Sequence, residues 1–79
     1  MTTEPLILAV DDEAGILRLI KLELTGQGFR VVTASNGREA LQLVEERRPD
    51  AVLLDVMMPD VTGLEVMRLI RERVDTPIL

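Results

Sequence analysis

Along the chain, short apolar runs alternate with amphipathic segments. The first run, LILAV (Leu6–Val10), is apolar at every position. A strand with one wet face would alternate, so this one is expected to be buried on both faces, as in a parallel sheet. AGILRLIKLELTGQG follows. It carries Ile16, Ile20 and Leu24 on one stripe and Arg18, Lys21 and Thr25 on another. That spacing predicts an amphipathic helix with the apolar stripe on the sheet, stopped by Gly26 and Gly28. FRVVTA is the next strand.

Asn36 then opens a second helix. Glu39, three residues on, completes a capping-box pattern, and Ala40, Leu41 and Val44 form its buried stripe. Pro49 closes that segment. AVLL (Ala51–Leu54) is a third strand without polar alternation. Thr62 with Glu65 is a second capping box, opening a helix with Leu64, Met67 and Ile70 inward. TPIL (Thr76–Leu79) begins a fourth apolar run, shorter than the usual strand of about 5–6 residues. The order βαβαβαβ predicts a parallel α/β sheet with right-handed crossovers.

Composition narrows the function. Seventy-nine residues make one domain, and 47% hydrophobic content supplies a core. Below about 80 residues such a core seldom gives more than roughly 3–5 kcal/mol. There is no cysteine, which excludes thiolate metal sites and thiol nucleophiles, and no histidine, which excludes histidine bases and phosphohistidine within the chain. The net charge of −5 argues against a phosphate backbone as direct partner, and the single aromatic, Phe29, offers no base-stacking platform. The first residues show neither a basic leader nor a membrane span, so a cytoplasmic protein is expected.

The candidate chemistry is carboxylate. Asp11, Asp12 and Glu13 follow the first strand, and Asp55 follows the third. In an open α/β sheet, ligands bind beyond the carboxyl ends of strands where the strand order reverses. If the first and third strands are neighbours, Asp55 meets the Asp11–Asp12 pair there. Acids at a helix start also cap free N–H groups, and an aspartate after a strand also makes a turn. Placement at two strand ends tips the balance toward a site. Carboxylates in one crevice repel unless a cation sits among them, and an oxygen-only set favours Mg²⁺ over Ca²⁺ or a transition metal. Met57 and Met58 read as loop packing, Pro59 as a stiffener and Gly63 as backbone geometry. Arg47, Arg48, Arg68, Arg71 and Arg73 fit solvated helix faces.

LILAVDDE, VVTASNGREAL, PDAVLLDVMMPDVTGLEVMRLIR and TPIL, in this order and spacing, resemble the receiver domain of bacterial two-component response regulators. The resemblance covers all 79 residues. It implies a flavodoxin-like parallel sheet with flanking helices, and it implies roles. Asp55 matches the phosphoacceptor, Asp12 the direct Mg²⁺ ligand and Asp11 its partner through water. Met57 matches the residue whose backbone carbonyl completes the metal shell. Pro59 and Gly63 match the residues that shape the following loop. The donor would be a phosphohistidine on a sensor histidine kinase, and the chain would be a signalling acceptor, not an enzyme.

The family pattern continues with a Ser or Thr ending the fourth strand, a Lys ending the fifth, and two more helices. None of these falls within residues 1–79, and Lys21, the only lysine, lies on the polar stripe of the first helix. The expectation is a single truncated receiver domain with impaired activity. One alternative is a signalling-inactive assembly or folding unit. Another is a Mg²⁺-dependent phosphohydrolase using the Asp11 and Glu13 spacing. The uncovered sheet face and raw fourth strand further predict a symmetric homodimer through the third and fourth strands.

Overall fold

The computed structural model describes residues 4–54, 63–73 and 77–79. β1 (Leu6–Val10) is buried at all five positions, as its unbroken apolar pattern requires. It is the middle strand of a parallel sheet ordered β2-β1-β3, flanked by β2 (Arg30–Ala34) and β3 (Ala51–Leu54). Leu8 stands beside Val32 and Val52, and Val10 beside Ala34 and Leu54, so all three strands end level. Asp50 fixes the opposite end. Its N–H donates to Leu6 O at 2.7 Å, and its Oδ2 accepts the Leu6 N–H, also at 2.7 Å.

α1 (Ala14–Gly26) packs over β1 and β2, whereas α2 (Gly37–Arg47) packs on β1, β2 and α3 (Gly63–Arg73). Leu8, Val10, Ala34 and Val52 close one core with Ala40 and Val44 of α2 and Ile70 of α3. Ile70 is thus inward as expected. Thr62 and the side chains of Leu64 and Met67 lie outside the described residues.

The stripe of α1 is rotated from its expected position. Leu17 is the buried residue at 7% exposure, Ile20 and Leu24 are half-buried, and Ile16 is 38% exposed. The helix seats on β1 and β2, so the side bearing Ile16 overhangs the sheet toward β3. Its end follows the glycine reading: Gln27 N–H and Phe29 N–H both donate to Leu24 O (3.0 and 3.1 Å), and Gly28 has φ +96°. A side chain there would be strained.

α2 is capped nearly as the sequence predicts. Asn36 Oδ1 accepts the Glu39 N–H at 2.8 Å. Glu39 Oε1 reaches one residue further back than a capping box requires, to the Ser35 N–H at 2.8 Å. The helix ends on Arg48, which has φ 47°. This left-handed conformation suits glycine. Arg48→Gly is therefore expected to raise stability by about 0.5–1 kcal/mol, read as a higher urea midpoint with an unchanged slope. A lower midpoint would mean that the arginine makes a compensating contact.

The fourth apolar run lies along the outer side of β3. Ile78 bridges Val52 in parallel, with Val52 N–H to Pro77 O at 2.9 Å and Leu79 N–H to Val52 O at 2.7 Å. Among the described residues, no helix is long and apolar enough to cross a membrane.

Candidate functional site

Strand order reverses between β1 and β3: the chain leaves β1 through α1 to reach β2 on one side, then returns through α2 to β3 on the other. This is the crevice where open α/β sheets bind ligands. The adjacency of the first and third strands, on which the carboxylate reading depended, is present. Val10 and Leu54 are register partners, so Asp11 leaves β1 at the level where β3 ends. Asp55 and Met57 lie outside the described residues, as do Met58 and Pro59.

Asp11 is held in place from two sides. Its N–H donates to Ala34 O at the end of β2 (3.1 Å), and its Oδ1 accepts the Glu13 N–H (2.9 Å). The turn delivers the chain into α1, whose first helical bond runs from Leu17 N–H to Glu13 O at 3.1 Å. Capping does not account for the acids. Glu13 occupies the cap position with no side-chain hydrogen bond to the helix, and the first turn of α1 holds no acidic residue.

Asp11 is half-buried, while Asp12 and Glu13 are exposed. One carboxylate oxygen from each can be chosen so that all three lie within 4.8 Å of one another. Ligand oxygens on opposite sides of a hard divalent ion stand about 4–5 Å apart. The three oxygens are therefore close enough together to share such an ion, whose charge would offset theirs. Glu13 joins Asp11 and Asp12 in this cluster, which sequence reasoning did not assign; its signal was the unbroken DDE run. Asp11 and Glu13 also form the rim of an open cleft of about 530 Å³, walled by Ile16 and Ile20 of α1 and by Leu53 and Leu79.

A parallel α/β sheet with carboxylates gathered at its switch point defines a flavodoxin-like, CheY-like protein. The response regulator receiver domain family matches residues 7–79, and the chain belongs to that family. The transcriptional regulatory protein AfsQ1 of Streptomyces coelicolor is 44% identical over 75 residues, covering 95% of this chain and 33% of AfsQ1. The chain thus spans about a third of the length of that relative. The Vibrio cholerae chemotaxis protein CheY4 has a similar structure, with TM-score 0.93 and 37% identity over 96% of this chain and 66% of CheY4. The response regulator TrrA of Thermotoga maritima, solved with Mg²⁺ and BeF, gives TM-score 0.85 at 41% identity, over 94% of this chain and 65% of TrrA. TrrA has also been solved with the histidine kinase ThkA.

Proposed function

We propose that the chain corresponds to the N-terminal portion of a phosphoacceptor receiver domain, with residues 1–79 forming a single unit. Asp55 takes a phosphoryl group from a phosphohistidine of a sensor histidine kinase. The observation that carries this reading is the level ending of neighbouring β1 and β3 with clustered carboxylates at the end of β1. Membership of the receiver family and the kinase complex of TrrA support it.

Asp11, Asp12 and Asp55, with the backbone carbonyl of Met57, would hold Mg²⁺. When bound, the ion neutralises charge among the carboxylates and on the phosphoryl oxygens. The TrrA structure with Mg²⁺ and BeF supports this choice of ion. Asp55 is the nucleophile: its carboxylate oxygen bonds to phosphorus, the P–N bond of the phosphohistidine breaks, and the nitrogen leaves with the electron pair. Asp11 and Asp12 are positioned by the backbone turn between β1 and α1, so they are set before any donor arrives. Lys21, the one lysine, is exposed on α1 and lies beside Thr33 rather than at the crevice. Within residues 1–79, then, Lys21 does not stand where it could pair with the phosphoryl oxygens, and uptake by these residues alone is expected to be slow. Each chain accepts one group and does not turn over, as a signalling module does and an enzyme does not. A cytoplasmic location and a second copy of the chain, meeting it over β3 and the fourth apolar run, belong to the same reading.

A calorimetric Mg²⁺ titration of the 79-residue chain and of Asp12→Ala tests the metal half of the site. Loss of a ligand should raise the dissociation constant at least about tenfold. Equal affinities, or no response from either protein, would contradict it.

A further inference from the structure

The fourth apolar run adds to the sheet beyond β3, so β2 is the edge at the opposite end. In a parallel ladder, alternate residues turn their backbone groups to opposite neighbours. Arg30 N–H donates to Pro5 O (2.9 Å) and Ala34 O accepts the Asp11 N–H (3.1 Å), so the even-numbered residues of β2 face β1. The N–H and C=O of Val31 and Thr33 face outward, and among the described residues nothing pairs with them. Natural edges are usually blunted by a charge or a proline on the strand. Val31–Ala34 contains neither, and Arg30 turns back to donate its Nε–H to Glu4 O at 3.2 Å.

Beside this edge, α1 presents two cations. Arg18 and Lys21 are both exposed, and with Ala14, Leu17 and Thr33 they line an open recess of about 270 Å³ between α1 and β2. Like charges one helical turn apart repel, and an acid three or four positions away would offset them. Those positions hold Ala14, Gly15, Leu17, Leu22, Leu24 and Thr25 instead. Glu23, the one acid within α1, accepts a hydrogen bond from Gln27 Nε2 at 3.0 Å. In a chain of net charge −5, Arg18 and Lys21 thus make a local positive patch without a counter-ion on their own helix.

We propose that the β2 edge docks an extended acidic segment of another protein, which adds a strand beside β2 and sets carboxylates against Arg18 and Lys21. Strand addition gives the outward N–H and C=O of Val31 and Thr33 their partners. Alternate residues of an added strand point to one face, about 7 Å apart. Helix positions three apart stand about 5–6 Å apart. Acids two apart on the incoming strand therefore reach both cations together, on the side of the sheet that α1 covers. A second copy of this chain is a poor occupant, since it would bring its own Arg18 and Lys21 to the same edge. The docking needs neither metal nor phosphoryl donor and stands apart from the Asp55 chemistry.

The probe is a short capped peptide alternating glutamate with valine, titrated into the isotope-labelled 79-residue chain and followed by NMR. Saturable shifts of the Val31 and Thr33 amides are expected, with a dissociation constant below about 1 mM. The double variant Arg18→Gln, Lys21→Gln should bind at least about tenfold more weakly. A fully N-methylated peptide keeps the carboxylates and loses the backbone donors, and it should also bind at least about tenfold more weakly. A peptide alternating lysine with valine should not bind. If circular dichroism shows that the double variant does not fold, the three peptides on the unaltered chain decide. No saturation by about 5 mM, undiminished binding by the double variant, or equal binding of the N-methylated or lysine peptide would overturn the proposal. So would inorganic phosphate reproducing the Val31 and Thr33 shifts, which would mark a small-anion site only.

Discussion

Leu8→Ala is expected to leave the chain largely unfolded at room temperature. Leu8 is fully buried in the central strand, between Val32 and Val52 in the sheet and within the core closed by α2 and α3. Truncating a buried leucine costs about 3–5 kcal/mol, through lost transfer energy and the cavity left behind. A core of this size supplies roughly 3–5 kcal/mol in all. The two figures meet, so one substitution should consume the stability of the chain. Leu22→Ala is the matched control. Leu22 is 72% exposed on α1, and its removal should change stability by no more than about 0.5 kcal/mol. Far-ultraviolet circular dichroism during urea titration reads both. A cooperative transition in Leu8→Ala close to that of the parent chain would show that the core does not lie where the structure puts it.

The sheet was the most legible part of the sequence. Leu6–Val10 and Ala51–Leu54 are apolar without interruption, and that pattern has one inexpensive home, a strand covered on both faces. The adjacency of β1 and β3 was a condition of the carboxylate reading and not a consequence of it; the structure supplies it and brings Asp11 to the crevice. α1 was less legible, since its apolar residues occupy more than one face. Ile16, Leu17, Leu19, Ile20, Leu22 and Leu24 offer several stripes, and periodicity alone favoured Ile16 over Leu17, the residue that packs on the sheet. Two features depend on contacts that local spacing does not encode. Asp50 clamps Leu6 across 44 positions, and the left-handed Arg48 carries an ordinary helix-surface side chain in a position suited to glycine. Glu13 was visible in the DDE run, but its carboxylate could be assigned to the cluster only once the helix start showed that it caps nothing.

The central claim is that Asp55 is the phosphoacceptor, and the largest chemical effect is expected there. Asp55→Asn replaces the nucleophilic carboxylate with a nearly isosteric carboxamide, so any phosphoryl uptake through position 55 should vanish without a change of fold. In the 79-residue chain the effect is read against a weak signal, because no lysine stands at the crevice to pair with the phosphoryl oxygens. The most direct measurement exposes the chain to excess acetyl phosphate with Mg²⁺, traps the acyl phosphate by borohydride reduction and locates the modified residue by peptide mass spectrometry. Slow, substoichiometric labelling at Asp55 is expected, dependent on Mg²⁺ and lost in Asp55→Asn. Equal labelling of Asp55→Asn, labelling centred on Asp11 or Asp12, or no labelling under prolonged donor excess would contradict the account.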